Sequence, residues 1–201
     1  MNEDRPLSLK STNGRSLESD EPLATSAPLM IRPIRPSDSI GLQHAFDHDF
    51  SANSRYLRFH TPLRNLSDVM VHYLTHVDGI DHVALVAIEF APGQPVNGVG
   101  VARFVRDTND PGAAELAAAV VDHAQGRGIG RRLLEALARA AHARGIERFH
   151  MDVLSNNRKV VSWALRLGAI SGAMQGGVAT YQLPVAALLT SSDNNPRSSA
   201  A

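Results

Sequence analysis

Gln125-Gly126-Arg127-Gly128-Ile129-Gly130 lies between a strand-like segment and a long segment with helical periodicity. Glycine has no Cβ, so glycines at alternate positions let backbone N–H groups approach a ligand closely. The first amides of a helix also carry partial positive charge, which binds phosphate. The stretch therefore predicts a phosphate site where the strand meets the helix. The alternative is a plain strand-to-helix turn that uses glycine for tightness.

The residues after this stretch predict a long amphipathic helix. One apolar stripe recurs at helical spacing, at Ile129, Leu133, Leu137 and Ala141. Gly145 is expected to end this helix as its C′ residue. A second helix is expected from Asn156 or Asn157 to Gly168.

Elsewhere the chain predicts strands interleaved with helices. Upstream of the glycines, helices are expected near 37–48, 54–59 and 67–76, and strands at 30–35, 82–90, 96–106 and 115–121. The last three of these strands are expected to form an antiparallel meander. Downstream, strands are expected at 148–154, 170–174 and 178–183. The class is mixed α/β (α+β).

Composition points to one soluble globular domain. The 201 residues are 43% hydrophobic and 20% charged, and 20 basic residues balance 20 acidic ones. No global field therefore favours nucleic acid or a membrane. We expect disordered tails at 1–28 and 190–201, a domain at 29–189, and, because no secretory h-region is present, a cytoplasmic location.

Other nucleotide and metal motifs fit less well. A Walker site is excluded because no Lys-Ser or Lys-Thr pair follows the glycines. A dinucleotide-binding unit with Asp152 as its ribose-binding acid ranks second among the interpretations of the glycine turn. It fits less well because the glycine spacing is G-x-G-x-G rather than G-x-G-x-x-G. His72 and His76 lie four residues apart on a helix without an evident third ligand, so we expect no metal site.

The motif Q-x-x-G-x-G, filled by Gln125, Gly128 and Gly130, resembles the pyrophosphate-binding signature of the GNAT superfamily of acyl-CoA-dependent N-acyltransferases. The order of strands and helices over about 30–183 is similar as well. The resemblance implies a mixed, mostly antiparallel sheet of six to seven strands flanked by about four helices. It also implies acetyl-CoA as the co-substrate.

A closer resemblance lies at 54–59, at 81–87 and at Ala114-Glu115. These segments are similar to the catalytic domain of bacterial Pat-type protein lysine acetyltransferases, some of which are fused to a nucleotide-sensing domain. The chain has no room for such a domain, so we expect no regulation of that kind within it.

The resemblance also implies which residues bind coenzyme A. The pyrophosphate is expected on the amides from Gln125 through Arg131, and the pantetheine arm on strand backbone near Val120 and Val121. Asn157 is either a further polar contact or a helix cap. The expected cofactor-binding residues are Val120, Val121, Gln125, Gly126, Arg127, Gly128, Ile129, Gly130, Arg131 and Asn157.

Glu115 is the candidate catalytic base. Six strand steps of about 3.3 Å place it roughly 20 Å from Val121, a span comparable to an extended pantetheine arm. Its apolar neighbours are expected to desolvate it and raise its pKa. The alternative is an ion pair with Arg103 or Arg106. Ala164 stands where many GNAT members carry a tyrosine general acid.

The leading hypothesis is an N-acetyltransferase that moves an acetyl group from acetyl-CoA directly to a primary amine, with a protein lysine as the expected acceptor. The chain has no cysteine, which excludes an acyl-cysteine route. The second hypothesis is a non-catalytic acyl-CoA-binding regulatory module, and the third is a dinucleotide-binding protein. A homodimer is compatible with each of them.

Overall fold

The computed structural model describes residues 28–90 and 97–190. Its strands are β1 Leu29–Pro33, β2 His82–Glu89, β3 Asn97–Arg106, β4 Ala113–Val120, β5 Arg148–Leu154, β6 Ile170–Gln175 and β7 Val178–Pro184. Its α-helices are α1 Ser39–His48, α2 Ala52–Phe59, α3 Asp68–Thr75, α4 Ile129–His142, α5 Arg158–Arg166 and α6 Val185–Thr190. Short 3-10 turns lie at Pro36–Asp38 and Asp122–Ala124.

All seven strands form one mixed sheet in the order β1-β2-β3-β4-β5-β7-β6. Every neighbouring pair is antiparallel except β4 and β5, which are parallel and are connected through α4. The expected class, a mostly antiparallel sheet of six to seven strands flanked by helices, is confirmed, although the described residues form six α-helices rather than about four. This sheet order also rules out the doubly wound dinucleotide-binding architecture, which needs a mostly parallel sheet.

Local signals in the sequence set most helix ends. Ser51 caps α2 by accepting a hydrogen bond from the Ser54 N–H, and Ser67 caps α3 in the same way. Gly145 has a φ of 75°, and the N–H of the residue after it bonds to the Ala141 carbonyl. This Schellman arrangement confirms Gly145 as the C′ residue of α4.

The two faces of the sheet carry different layers. On β3, Ala102 and Phe104 belong to the main core with Leu133 and Leu137 of α4. Side chains alternate along a strand, so Val101 and Arg103 point to the opposite face. There they meet the three helices α1, α2 and α3 across a cavity. The molecule is therefore a three-layer structure at this point, with α4 on one face and α1–α3 on the other.

Gly100 allows β3 and α4 to pack closely. A Cβ on Gly100 would lie 3.1 Å from a methyl of Leu133 and 3.2 Å from the Ala119 carbonyl oxygen. Even a methyl group here would therefore require Leu133 or the Ala119 carbonyl to shift by a few tenths of an ångström. The position holds the start of α4, and with it the glycine-rich loop (Gln125 to Gly128), close to the end of β4.

Several element boundaries differ from expectation. β4 begins two residues earlier than predicted and ends at Val120, because the chain turns into the 3-10 turn after Val121. Helix α2 begins at Ala52 rather than near Ser54, because Ser51 is the cap. Helix α6 was not predicted, and it reaches Thr190. The predicted tails otherwise lie outside the described residues.

Within the described ranges, none of the helices is both long enough and apolar enough to cross a membrane.

The core between α4 and the sheet predicts a large stability loss for Leu137→Ala. Leu137 is fully buried, so we expect the free energy of unfolding to fall by about 2–5 kcal/mol. Arg139→Ala, an exposed change on the same helix, is the control and should cost less than about 0.5 kcal/mol. Urea unfolding measures both. Equal losses would contradict the assignment of this core.

Candidate active site

A cleft opens where β4 and β5 separate. Their parallel register joins 113–115 to 148–150 and goes no further. Beyond Glu115, β4 stays paired with β3 on one side, while β5 continues along β7. The strands therefore diverge like the arms of a V, with Glu115 at the vertex and the glycine-rich loop at the open end of β4.

The open edge of β4 offers unpaired peptide groups to this cleft. The Val121 N–H donates to the Val99 carbonyl at 3.0 Å, so odd-numbered residues of β4 point their peptide groups toward β3. Even-numbered residues beyond the last β4–β5 pair, such as Ala118, point their peptide groups toward the cleft. Sequence reasoning missed Ala118, because which edge a peptide group faces depends on strand pairing.

The two residues expected to hold a pantetheine arm differ in their roles. Val121 is buried in the core and its N–H is already used by Val99. The Val120 carbonyl accepts a hydrogen bond of 3.1 Å from the Gln125 side-chain amide. Of these two residues, only Val120 directs a peptide group into the cleft, and its carbonyl is already bonded to Gln125.

The glycine-rich loop has the backbone form that a phosphate cradle needs. Gly126 and Gly128 both have a φ of 78°, in the left-handed region that favours glycine. Gly128 is the N-cap of α4, and among the residues that the structure describes no side chain caps that helix. The first amides of α4, including those of Ile129 and Gly130, therefore point out of the helix end, where an anion can accept from them.

Asp122 ties this loop to α2. Its carboxylate accepts hydrogen bonds from the Ser51 N–H at 2.9 Å and from the Ser54 hydroxyl at 2.5 Å. It also accepts from the Gln125 amide at 3.2 Å. Partial burial raises the pKa of Asp122, but the bonds from Ser54 and Ser51 outweigh this and hold its pKa below the usual range. Sequence reasoning gave Asp122 no role.

The arginines of the loop have carboxylate partners of their own. Arg127 donates to Glu89 at the end of β2, with one N–O distance of 3.2 Å. Arg131 pairs with Glu135 one turn along α4 at 2.7 Å. Their backbone amides remain part of the predicted cradle. Their guanidinium groups first stabilise the loop and the helix.

Glu115 projects from the vertex of the cleft on the face that carries α1–α3. It is exposed, so the strand's own packing does not provide the desolvation expected from its apolar neighbours. The proposed ion pairs are absent too: Arg103 donates to the Leu74 carbonyl at 3.0 Å, and Arg106 pairs with Asp81 at 2.7 Å. His150 is its register partner on β5.

Two residues of the α5 region matter for the chemistry. Asn157 accepts a hydrogen bond from the Val160 N–H at 3.4 Å, which makes it the N-cap of α5. Ala164 is fully buried in the main core. A methyl group cannot donate a proton, so this position supplies no general acid.

The remaining candidates have structural roles. The rings of His72 and His76 stack with centroids 3.7 Å apart, and no cluster of three or more metal-ligating residues occurs among the described residues. Asp152 lies within β5 and accepts a hydrogen bond of 2.6 Å from the Thr180 hydroxyl.

A strand, a glycine-capped helix and a further strand parallel to the first match the element order that the resemblance to acyl-CoA-dependent N-acyltransferases implies. Comparison with known proteins agrees with this class. The model of the acetyltransferase (GNAT) family matches residues 81–169. The chain is 37% identical over 142 residues to the acetyltransferase Pat of Mycolicibacterium smegmatis, which covers 70% of this chain and 40% of that protein.

Solved structures resemble it as well. The GNAT domain of S. lividans PAT superimposes with a TM-score of 0.69 and 32% identity, covering 77% of this chain and 89% of that one. A putative acetyltransferase from Salmonella typhimurium, solved with its cofactor acetyl-CoA, matches in fold with a TM-score of 0.60 and 18% identity, covering 86% and 99%.

The chain belongs to the GNAT acetyltransferase family. It spans about 40% of the length of the curated Pat relative, so the match to that protein is to one part of it.

The left-handed conformation of Gly128 predicts opposite effects for two Gly→Ala changes. Neither glycine has an atom within 4 Å of an added Cβ, so only backbone conformation differs. Gly128→Ala should lower the free energy of unfolding by roughly 1–2 kcal/mol. Gly41→Ala, inside α1, should raise it by about 0.5–1 kcal/mol. Thermal melts of both variants test this; a shift in the same direction would contradict it.

The hydrogen bonds to Asp122 predict a pH-dependent stability. Asp122→Asn should destabilise the chain by about 1 kcal/mol at neutral pH, since three donors lose a charged acceptor. Because the folded pKa is lowered, this contribution is complete above the unfolded value of about 3.9 and is lost as pH falls through the folded pKa. Urea unfolding at several pH values should show the deficit shrinking in acid; a deficit independent of pH would contradict it.

Proposed function

We propose that this chain transfers an acetyl group from acetyl-CoA directly to a primary amine, with a protein lysine as the acceptor. The observation that carries the proposal is the split between β4 and β5, with a carboxylate at its vertex and a helix N-terminus at its open end. The 37% identity to a protein named acetyltransferase Pat supports it.

The residues present fit acetyl-CoA. The amides of 125–131, in the glycine-rich loop and the first turn of α4, would hold the pyrophosphate, and the cleft-facing peptide group of Ala118 and the N–H of Val120 would hold the pantetheine arm. When bound, acetyl-CoA supplies the activated acetyl thioester. From Val120 to Glu115 is five strand steps, or roughly 17 Å, a span that would bring Glu115 near the thioester end of a bound pantetheine arm.

Glu115 would accept the proton of the attacking amine. A lysine with a pKa near 10.4 is neutral in only about one molecule in a few thousand at pH 7, a handicap of roughly 4–5 kcal/mol. A carboxylate at the vertex offsets part of this cost by removing the proton, directly or through water. With Ala164 in place of a hydroxyl, the departing thiolate takes its proton from water.

Ala164 and the exposure of Glu115 favour a second candidate, a non-catalytic acyl-CoA-binding module. Such a module would retain the loop and the open edge of β4 but show no turnover with any amine. Two measurements in a cell lysate would distinguish the enzyme from the module: the hydrolysis of acetyl-CoA, and the acetylation of lysate proteins detected by mass spectrometry. A lysate protein acetylated at lysine only in the presence of this chain would support the enzyme.

The proposal predicts a selective loss of rate in Glu115→Gln. Removing the general base should lower kcat by about 10²–10⁴-fold, while the Kd for acetyl-CoA, measured by calorimetry, should stay within about twofold. Glu147→Gln, a change at an exposed carboxylate outside the cleft, is the control and should leave both unchanged. An unchanged kcat in Glu115→Gln would remove Glu115 from the mechanism.

A further inference from the structure

Three arginines line one apolar cavity on the α1–α3 face of the sheet. The cavity has a volume of about 40 Å³. A water needs roughly 10–15 Å³ on this scale, so the cavity has room for about three waters, or for a carboxylate and a methylene. Its walls include Arg55, Arg58 and Arg103, with aromatic rings from α1 and α2 and the methyl groups of Ala117 and Ala119 on β4.

None of these three arginines forms a salt bridge with an Asp or Glu in the described ranges. Arg32, Arg106, Arg127 and Arg148 do each pair with a carboxylate. Charges buried without counter-charge are costly, so a like-charged cluster in an apolar wall lacks compensation.

The three guanidinium groups differ in how many of their donors are used. Arg55 donates to the Phe50 and Arg64 carbonyls, at 3.2 and 2.9 Å. Arg103 donates to the Leu74 carbonyl and contacts His82. The Arg58 guanidinium stacks over the Phe59 ring at 5.0 Å, and no residue of 28–90 or 97–190 accepts a hydrogen bond from it. Five donors of Arg58 are thus open to a ligand.

The electrostatics agree with this geometry. Burial, and next the charge of Arg58, lower the pKa of Arg103 to about 10. Burial also lowers the pKa of Arg58, against the opposing effect of Glu115. Both arginines stay charged at neutral pH, and neither forms an ion pair with a carboxylate of the described residues.

We propose that this cavity is an anion subsite that binds a carboxylate on a short apolar stem, with Arg58 as its main ligand. A guanidinium pairs with a carboxylate through two parallel hydrogen bonds, and the apolar walls suit the stem. Ala117 and Ala119 lie on the same face of β4 as Glu115, so the carboxylate would sit about 7–13 Å from the vertex of the cleft.

Two sources of such a carboxylate lie within reach of the vertex. One is the far end of a dicarboxylic acyl group carried by coenzyme A, and the other is an Asp or Glu side chain next to the acceptor lysine. Either source rests on the proposed function, whereas binding of a free carboxylate does not. The two parts can therefore fail separately.

Binding is tested on the full chain with glutarate, its uncharged diamide and inorganic phosphate, by thermal shift and calorimetry. Glutarate should bind, and Arg58→Met should weaken it at least tenfold. The control variant Arg139→Met changes an exposed residue of α4, on the other face of the sheet. It should bind glutarate as tightly as the wild type does. No binding, equal binding in Arg58→Met, or equal binding of phosphate or the diamide would overturn the proposal.

A second pair of variants tests the charge deficit without a ligand. Ala117 is the register partner of Arg103, so Ala117→Glu places a carboxylate beside the cluster, and Ala117→Gln places the same bulk without charge. The Glu variant should melt at a higher temperature than the Gln variant, and 1 M salt should shrink the difference, as expected from screening. A Glu variant that melts no higher than the Gln variant would overturn the proposal.

Rates of acyl transfer decide which of the two sources supplies the carboxylate. A higher kcat/KM for succinyl-CoA than for butyryl-CoA, lost in Arg58→Met, supports the acyl source. A preference for Glu-Lys over Gln-Lys acceptor peptides with acetyl-CoA, lost in the same variant, supports the acceptor source. If the wild type shows neither preference, the link between this cavity and acyl transfer is overturned. Absence of any transfer in the wild type would reject the proposed function and leave the binding result standing.

Discussion

The separation of β4 from β5 is the constraint on which the rest of the site depends. Three pairs of residues hold the strands together at 113–115 and 148–150, and beyond them the peptide groups of β4 lack a strand partner on that side. Buried backbone groups without partners are costly, so an open edge inside a sheet persists where it faces a cleft. The glycine-rich loop and Glu115 take their places at the two ends of that edge.

Charge in this chain is organised locally. The sequence carries 20 basic and 20 acidic residues, yet the site concentrates positive potential in two places. One is the uncapped start of α4, and the other is the arginine-lined cavity beside β4. Asp122 carries the opposite charge, and its hydrogen bonds link the loop before α4 to the start of α2.

Much of the fold was readable from local sequence signals. The apolar stripe of α4, the glycine that ends it at Gly145 and the cap of α3 at Ser67 act within a few residues, so their effects need no tertiary information. Helix α6 and the end of β4 at Val120 were missed or misplaced. Packing on α4 stabilises helix α6, and the turn into Asp122 determines where β4 ends.

The sequence by itself determined that Gln125 to Gly128 form a turn before a long helix, because glycine alone adopts a positive φ at low cost and apolar periodicity specifies a helix. Only the tertiary structure decided which peptide groups of β4 face the cleft, that Glu115 is exposed at its vertex, and that Arg55, Arg58 and Arg103 meet in one cavity. These features depend on strand register and on packing between segments far apart in the chain. Local sequence patterns do not encode such contacts.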